Sequence, residues 1–446
     1  MPEHLRTLVV ILILSTAFFI FATRSATAII GRDHFTRRRN LWFGLTLAAF
    51  LAHNFWLYTF IAIPLLLYAN RHETNPPALF FFILFALPVA TIQIPGLGLI
   101  NYIFELSHAR ILALFILLPA FFVLLRQSDT HSSHGIGADG VLIAYLLLIV
   151  ALSLRESNLT STARLAFYLF IDTFLPYYVV SRFLKNVQAF KDALLSLVLA
   201  IMVLALIAVF EAAKHWLLYQ PLLDVLGLEG MLAYLGRDGM LRAVASAGHS
   251  IALGYLMVVG IGCYLFLHQS IKSKVVRRMG IALLTAGLIA PLSRGPWVGA
   301  AVLLIVFIAT GRKPAHRLMG LALAGMLALP LIAMLPGGER AINLLPFIGT
   351  TEKGSIDYRE DLLTNSIIVI KRNPWFGSVN FEQTPEMEAL RQGQGIIDVV
   401  NTYIGVALRQ GLVGLVLFAG FFALVVIGVY QAKRSILDKE IGRAHV

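Results

Sequence analysis

The chain of 446 residues has a single cysteine, Cys263, and charged residues make up only 13% of it. One cysteine can form neither an internal disulfide nor a thiolate metal cluster, so the cellular compartment has to be inferred from topology. Hydrophobic residues make up 58% of the sequence, and the mean hydropathy of +0.80 is far above that of a soluble domain of this length. The composition therefore predicts a polytopic membrane protein.

The apolar runs predict an all-α fold with about 12–13 transmembrane helices. The runs cover residues 5–22, 41–53, 55–70, 78–92, 109–126, 138–154, 164–181, 189–213, 247–268, 279–293, 296–311, 317–335 and 411–431. The first run lacks a basic flank and a small-residue cleavage site, so it is interpreted as a membrane helix and not as a signal peptide. Residues 1–335 then form a membrane domain, 336–396 a long loop, and 397–440 a partial helix followed by the final transmembrane helix. The last six residues, "IGRAHV", resemble a translated sequencing adapter, so we expect an artefact at 441–446 and a truncated C-terminus.

Basic residues indicate the orientation of the helices. Seven segments hold 20 of the 36 arginines and lysines and fall on one side under this helix count. They are 23–40, 70–77, 126–137, 182–191, 268–278, 312–317 and 432–440. By the positive-inside rule this side is the cytoplasm. Segment 128–140 has two histidines without ligands at a metal spacing and is interpreted as a cytoplasmic loop. The long loop 336–396 lies on the opposite side.

Arg294 stands between two apolar runs, in "IAPLSRGPWVGAAV". A charge at membrane depth costs about 2.5 to 3.5 kcal/mol even on insertion scales, so such an arginine usually faces a polar cavity or a ligand. The two runs predict a helical hairpin with "SRGPW" at its tip, where Gly295 and Pro296 break the helix. The alternative is an interfacial arginine that binds lipid headgroups, with Trp297 in an aromatic belt.

Two further groups lie on the same predicted side as the tip. Arg242 and His249 occur in "MLRAVASAGHSIALGY", among small residues that would let a bulky ligand approach the backbone. His249 could equally belong to an ordinary close-packed helix start. The segment "DYREDLLTNSIIVIKRNPWFGS" predicts an amphipathic helix in the long loop. Its apolar face would contain Leu362, Ile367, Val369 and Ile370, and its outer face Arg359, Lys371 and Arg372.

The long loop leads into "IIDVVNTYIGVALRQGLVGLVLF". Residues 397–409 are too few to span a membrane, so they predict a partial helix broken at Gly411. Asp398 and Asn401 would lie at its start and point toward the arginines. The alternative for Asp398 is a simple helix N-cap.

Together these segments resemble the O-antigen ligase and polymerase superfamily, membrane glycosyltransferases that act on undecaprenyl-diphosphate-linked glycans. The similarity rests on the order of "RAVASAGHSIALG", "LSRGPWVGA", a long loop, and "VVNTYIGVALRQGLVGL". The ligase pattern is His, then Asn, Ser or Gln, nine residues, Gly, two residues, and Gly, Thr or Tyr. Asn401, Gly411 and Gly414 fall in register, whereas the histidine position is Val400. Because that histidine assists the acceptor hydroxyl in the ligases, the valine favours a polymerase of exopolysaccharide or O-antigen repeats.

The resemblance implies an inverting glycosyltransferase in the bacterial inner membrane, with an active site that faces the periplasm. Arg242 and Arg294 would bind the diphosphate without a metal or another cofactor, Arg359 is a weaker third candidate, and Asn401 belongs to the motif. Arginine matches phosphate geometry bidentately and can stabilise charge on a departing diphosphate. Asp398 or His249 could be the general base. The implied partners are the lipid-linked glycan, membrane lipids, a chain-length regulator and a flippase; the basic residues are topology signals and do not indicate nucleic acid.

Three other functions compete with this interpretation. A ligase that transfers glycan to lipid A-core is the nearest. A transporter or flippase of an anionic substrate would also have a broken hairpin and intramembrane arginines. However, the first two hundred residues hold no second copy of "SRGPW" or "NTYIG", as an internal repeat would require. A scaffold of an export machine would leave the arginines unexplained.

Overall fold

A computed structural model of the chain is predominantly helical. It describes residues 1–96, 98, 101–127, 137–155, 158–228, 236–237, 239–311, 313–334, 338–345, 353–391 and 395–444. In the first half of the chain the elements are α1 (Glu3–Ile30), α2 (Arg32–Leu51), α3 (Phe55–Arg71), α4 (Pro76–Ile83), β1 (Thr91–Pro95), β2 (Tyr102–Ser107), α5 (His108–Arg126), α6 (Ala138–Ser153), α7 (Leu159–Phe183) and α8 (Val187–Lys214). In the second half they are α9 (Gln220–Leu226), β3 (Gly236–Arg237), β4 (Met240–Leu241), α10 (Ser250–Leu267), α11 (Lys274–Ile289), α12 (Arg294–Ala309), α13 (Pro314–Ala333), α14 (Gly338–Leu344), α15 (Lys353–Arg372), α16 (Pro385–Glu388) and α17 (Thr402–Ala444).

Six helices in the described part of the chain are long and apolar enough to cross a membrane. They are Glu3–Ile30, His108–Arg126, Leu159–Phe183, Val187–Lys214, Ser250–Ser270 and Thr402–Arg434. The other apolar runs form shorter or more polar helices, such as Ala138–Ser153 and Arg294–Ala309. The all-α polytopic membrane fold is confirmed. The predicted loop at 128–140 lies mostly outside the described residues.

The chain divides into two compact units. Unit 1 contains Met1–Ser128 and Leu175–Thr351, and unit 2 contains Asp129–Phe174 and Glu352–Val446. Arg242, His249 and Arg294 lie in unit 1. Asp398 and Asn401 lie in unit 2, as does Arg359.

Residues 78–92 do not form the predicted membrane helix. Helix α4 ends at Ile83, and the chain continues into β1, which pairs antiparallel with β2. Pro88 disfavours a helical conformation at the residue before it. The β-branched Thr91 and Ile92 then favour a strand. Hydrophobicity alone predicted a helix here, but the proline and the β-branched residues determine the backbone conformation.

Helix α8 runs through the core of unit 1. It is apolar on all faces, and 72% of its apolar window is buried, as expected for a helix surrounded by protein. Two acidic residues lie near its ends, Asp192 and Glu211. At 1.5 Å per residue they are separated by about 28 Å, close to the thickness of about 30 Å of a bilayer core. Each carboxylate accepts hydrogen bonds from other segments at its own end of the helix.

Asp192 belongs to a buried cluster around Arg38. The Arg38 guanidinium donates to both carboxylate oxygens of Glu73 at 2.9 and 3.0 Å and to both of Asp192 at 2.5 and 3.0 Å. Burial alone would raise the pKa of Glu73, but the hydrogen bonds and charge of Arg38 outweigh it and hold this pKa below its usual value. The cluster joins Arg38 of basic segment 23–40 and Glu73 of segment 70–77 to Asp192, the residue that follows segment 182–191. That these basic segments lie on the same side of a membrane stays a prediction.

A small hydrophobic core packs α15 and α16 of unit 2 against the start of α17. It consists of Leu362, Val369, Phe381, Met387, Leu390 and Leu408. In α15 the buried stripe follows a helical spacing through Leu362, Ser366 and Val369. Ile370 packs at its edge, whereas Ile367 lies off the stripe and is 43% exposed. The predicted amphipathic helix is confirmed, but the placement of Ile367 on its buried face is wrong.

Gly411 interrupts α17, as predicted. Its φ of 69° lies in the left-handed region, and a side chain here would collide with the Trp375 carbonyl. The backbone N–H of Leu412 donates to the Pro374 carbonyl at 2.7 Å, and that of Val413 to the Trp375 carbonyl at 3.2 Å. The loop after α15 therefore accepts the N–H groups that the kink frees.

Candidate functional site

Arg294 is the first residue of α12, directly after a sharp turn. Helix α11 ends at Ile289, and Leu292 in the turn has a φ of 49°. Gly295 and Pro296 lie in the first turn of α12, where a proline is tolerated because its missing N–H would have no helical partner. The hairpin tip is confirmed, but the break precedes Arg294, and the prediction that Gly295 and Pro296 break the helix is wrong.

Helix α10 supports the first turn of α12. A Cβ atom at Gly254 would stand 2.5 Å from Cγ of Pro296. Only glycine allows this approach without displacement of the proline ring. The start of α12 is therefore held close to the helix that follows Arg242 in the sequence.

Arg242 binds the turn that precedes Arg294. Its Nε donates to the Pro291 carbonyl at 3.2 Å, and its Nη2 donates to Oγ of Ser293 at 2.9 Å. Both arginines are half-buried, and Ser293 is buried. The structure thus brings Arg242 against the residue next to Arg294, although 51 positions separate Arg242 from Ser293.

Arg237 is a third arginine at this turn, which the sequence analysis missed. Its Nη1 donates to the Leu292 carbonyl at 2.5 Å. It pairs with Met240 across the two-residue strands β3 and β4. The Asp-Gly pair between these strands is a hairpin signal, and it would have predicted that Arg237 folds back beside Arg242.

The Arg294 side chain is held by the end of α14. Its Nε donates to the Leu344 carbonyl at 3.1 Å, and its Nη2 to the Asn343 carbonyl at 2.9 Å. These carbonyls lie at a helix C-terminus, where a cation is favoured. The beginning of the long loop therefore helps to orient Arg294.

Glu211 fixes the segment that follows Arg242. It is fully buried; Oε1 accepts from the Leu218 N–H at 3.0 Å, and Oε2 from the N–H groups of Val244 at 3.0 Å and Ala245 at 2.8 Å. Ala245 has a φ of 47°, which an alanine adopts only under such constraint. The sequence analysis missed Glu211, but an acidic residue in an otherwise apolar span is itself a functional signal.

Two further hydrogen bonds hold the segment that follows Arg242. The Ala243 N–H donates to the Ala290 carbonyl at 3.2 Å, in the turn before Arg294. Oγ of Ser246 donates to the Phe85 carbonyl at 2.7 Å, after α4. The backbone around Arg242 is thus fixed from α8, from α4 and from the hairpin tip.

His249 caps α10. The side chain is exposed, and its Nδ1 accepts from the Ile251 N–H at 3.1 Å. This contact is the ordinary helix start that the sequence left open as an alternative. A role of His249 as a general base stays a prediction.

In unit 2, Asn401 and not Asp398 is the helix cap. Oδ1 of Asn401 accepts from the N–H groups of Tyr403 at 2.9 Å and Ile404 at 3.4 Å, so α17 begins at Thr402 and not at residue 397. The N-cap alternative for Asp398 is wrong.

Asp398 is held by its backbone. The Tyr358 hydroxyl accepts from the Asp398 N–H at 3.0 Å and donates to the Asp398 carbonyl at 3.1 Å. Asp398 is exposed, and so is Arg359, which follows Tyr358 in α15. The Tyr358 hydroxyl therefore fixes the backbone three residues before Asn401, at the entry into α17.

The turn at 290–294 brings together arginines whose orientations are fixed by hydrogen bonds. Arginine stays protonated at physiological pH and presents its N–H donors in a rigid plane. Arg237 and Arg242 donate to the turn, and Arg294 belongs to it. Backbone carbonyls and one serine hydroxyl fix the orientation of the three side chains. Preorganised donors of this kind stabilise charge that develops in a transition state, because they need no reorganisation.

Comparison with known proteins agrees with the motif resemblance. The family model for O-antigen ligase matches residues 279–419, which include the hairpin tip and the kink at Gly411. An O-antigen ligase of Pseudomonas aeruginosa is 29% identical over 158 residues, which are 35% of this chain and 35% of that relative. The match thus spans about a third of the relative's length. No solved structure shows significant similarity to the chain. The resemblance to the O-antigen ligase and polymerase superfamily is confirmed.

Proposed function

From the O-antigen ligase similarity of residues 279–419, we propose that this protein polymerises oligosaccharide repeats linked to undecaprenyl diphosphate. The reaction would take place at the periplasmic face of the bacterial inner membrane, in exopolysaccharide or O-antigen synthesis. A flippase would deliver the substrate, and a chain-length regulator would act on the product.

The contact of Arg242 with Ser293 is the observation that carries this proposal. Its two hydrogen bonds to the turn before Arg294 join two cations that are remote in sequence. A lipid-linked sugar donor offers a diphosphate as its leaving group. Two guanidinium groups, each held by hydrogen bonds and carried by or bound to the same turn, would match that group in charge.

In the proposed reaction, a sugar hydroxyl of one repeat attacks C1 of the sugar on the other lipid. The new C–O bond forms as the C1–O bond to the diphosphate breaks, with inversion at C1. The bonding electrons leave with the diphosphate, and Arg242 and Arg294 stabilise its increased negative charge. The hydroxyl proton passes to a general base. The scheme assigns charge stabilisation to arginine and requires no metal ion.

His249 and Asp398 are the two candidates for the base. His249 follows Arg242 by seven residues, and Asp398 precedes the vacant histidine position, Val400, by two. Asn401 and Arg359 would bind substrate near the entry into α17. Substitution of each candidate by asparagine or glutamine, followed by pH profiles of the rate, would identify the base from loss of the rising limb.

A ligase that transfers glycan to lipid A-core is the second candidate. The name of the P. aeruginosa relative favours it. Val400 in the position of the ligase histidine favours the polymerase. The two reactions give different products, since a ligase attaches a glycan to lipid A-core and a polymerase lengthens it on its lipid carrier.

Complementation of a strain that lacks its own copy tests the proposal. Arg242→Ala and Arg294→Ala should lower the polymer yield at least a hundredfold, the effect of removing a preorganised donor to developing charge. Arg278→Ala is the matched control, because Arg278 is exposed at the opposite end of the same hairpin. Full-length polymer from both arginine variants would refute the proposal. Glycan on lipid A-core without longer chains on the carrier lipid would favour the ligase.

A further inference from the structure

Unit 2 contains a polar cavity that no part of the proposed reaction uses. Its volume is about 400 Å³, within the range of about 300–1,000 Å³ for small-molecule sites. Seven of its twelve lining residues are polar or charged, whereas most ligand pockets are lined mainly by apolar side chains. The composition indicates a ligand with many hydrogen-bonding groups.

Three amides and a guanidinium line the cavity with unused hydrogen-bonding groups. They belong to Asn380, Gln383, Gln410 and Arg409. Within the described residues none of these four side chains hydrogen-bonds to another protein group. Gln410 is nevertheless half-buried. An amide offers both a donor and an acceptor, and a guanidinium offers donors only. Adjacent hydroxyls of a sugar match such planar groups, because each hydroxyl can donate and accept.

Charge in the cavity is nearly balanced. Arg391 is paired with Glu388 through two hydrogen bonds of 2.6 and 2.7 Å. Arg409 approaches Glu382 only to 3.8 Å, and both side chains are about half exposed. An exposed pair at that distance contributes little, so both groups are available to a ligand. A balanced set of this kind suits neutral hydroxyls better than a phosphate.

The kink in α17 positions this wall of the cavity. Arg409 and Gln410 are the last two residues before Gly411, and the guanidinium of Arg409 lies 5.6 Å from the centre of the Phe381 ring. Phe381 is buried in the core of the unit. Ile149, Leu152 and Leu165 supply an apolar part of the lining, against which the C–H faces of a sugar ring can pack. The packed core therefore fixes the backbone from which this wall projects.

We propose that this cavity is a carbohydrate subsite that binds neutral sugar residues of the glycan through Arg409, Gln410, Asn380 and Gln383. The assignment rests on the proposed glycosyl transfer. The subsite binds the glycan and takes no part in bond breaking. Its loss should therefore raise KM and leave kcat unchanged.

The test uses the full chain in lipid nanodiscs with lipid-linked repeat extracted from the host strain. Arg409→Ala and Gln410→Ala should each raise KM about tenfold, as expected from one or two lost hydrogen bonds, at an unchanged kcat. Arg372→Ala is the matched control, since Arg372 is an exposed arginine of the same unit that is paired with Glu386 and does not line the cavity. Unchanged thermal midpoints would show that the variants fold.

A second measurement separates the subsite from the reaction. Titration with the oligosaccharide released from the repeat by mild acid should show a Kd raised about tenfold in Arg409→Ala, while maltohexaose should bind weakly to every protein. An unchanged KM and Kd, or a loss confined to kcat, would overturn the subsite while the proposed function stands. Absence of turnover by the wild type, with the Kd difference retained, would overturn the proposed function and leave the carbohydrate site.

Discussion

The guanidinium of Arg242 donates a hydrogen bond of 2.9 Å to Oγ of Ser293, the residue immediately before Arg294. This contact joins the segment before α10 to the tip of the next helical hairpin. Glu211 holds the backbone on one side of it, and α14 holds Arg294 on the other. The turn at 290–294 therefore depends on groups from four separate parts of unit 1.

Loss of the Ser293 hydroxyl should weaken activity through Arg242. We expect Ser293→Ala to lower the polymerisation rate about fivefold, the effect of one hydrogen bond of about 1 kcal/mol, and Ser293→Thr to retain most of it. The double variant with Arg242→Ala should be no slower than Arg242→Ala alone, because the two residues act as a unit. Rates in membrane vesicles would measure this. Independent, additive losses would contradict the coupling.

Removal of the Glu211 carboxylate should destabilise the turn. In Glu211→Ala, three buried N–H groups lose their acceptor, at a cost of about 1–3 kcal/mol each. We expect a lower unfolding temperature and little activity, with Glu211→Gln intermediate because it keeps one acceptor oxygen. Asp224→Ala, at an exposed acid in unit 1, is the control for loss of a carboxylate. Equal unfolding temperatures for Glu211→Ala and the wild type would disprove this role.

A side chain at Gly411 should disrupt the kink. Gly411→Ala would force a strained backbone and a collision with the Trp375 carbonyl, so it should reduce stability by more than about 1 kcal/mol. Gly428→Ala in the same helix meets no atom within 4 Å and should stabilise by up to about 1 kcal/mol. Thermal unfolding of the purified variants would measure both. A destabilisation of similar size at the two glycines would rule out a special role of the kink.

Glu73 should make stability depend on pH on the acid side. Because its pKa is lower in the folded than in the unfolded protein, its contribution is present above the unfolded pKa of about 4.3 and is lost as pH falls through the folded pKa. Glu73→Gln should be about 3–5 kcal/mol less stable than the wild type at pH 7, since Arg38 loses a buried partner. The difference in the free energy of unfolding between Glu73→Gln and the wild type should narrow below about pH 4.

Unfolding followed from pH 7 to pH 3 would check this prediction. His34 lies 3.1 Å from the same carboxylate, so the comparison should be repeated in a His34→Gln background. The exposed pair of Glu386 with Arg372 is the control, and Glu386→Gln should change stability little at any pH because solvent screens that pair. A constant difference between Glu73→Gln and wild type across the range would refute the linkage.

The positions of many helices along the chain were predictable from local sequence. The ends of α5, α8 and α12 lie within a few residues of the predicted apolar runs, because burial of apolar surface accumulates residue by residue. The run at 78–92 failed because Pro88 and the β-branched residues after it outweigh hydrophobicity. Gly411 was predicted correctly, since glycine before a new apolar run is a strong local signal.

The candidate site was predictable only in part. Arg242 and Arg294 stand out because a cation among apolar residues is costly and needs a reason. Arg237 and Glu211 were missed, since their importance comes from the carbonyl and N–H groups they bind. Those partners are 55 residues away for Arg237 and 33 and 34 for two of the three that bind Glu211.

By itself, the sequence determined that this is a helical membrane protein with two cations at the ends of apolar runs, because hydrophobicity and charge are properties of each residue. Only the tertiary structure decided that Arg242 binds Pro291 and Ser293, and that Glu211 binds the segment after Arg242. A hydrogen bond requires two groups at about 3 Å in a defined direction, and for groups remote in the chain only the packing of helices sets that distance.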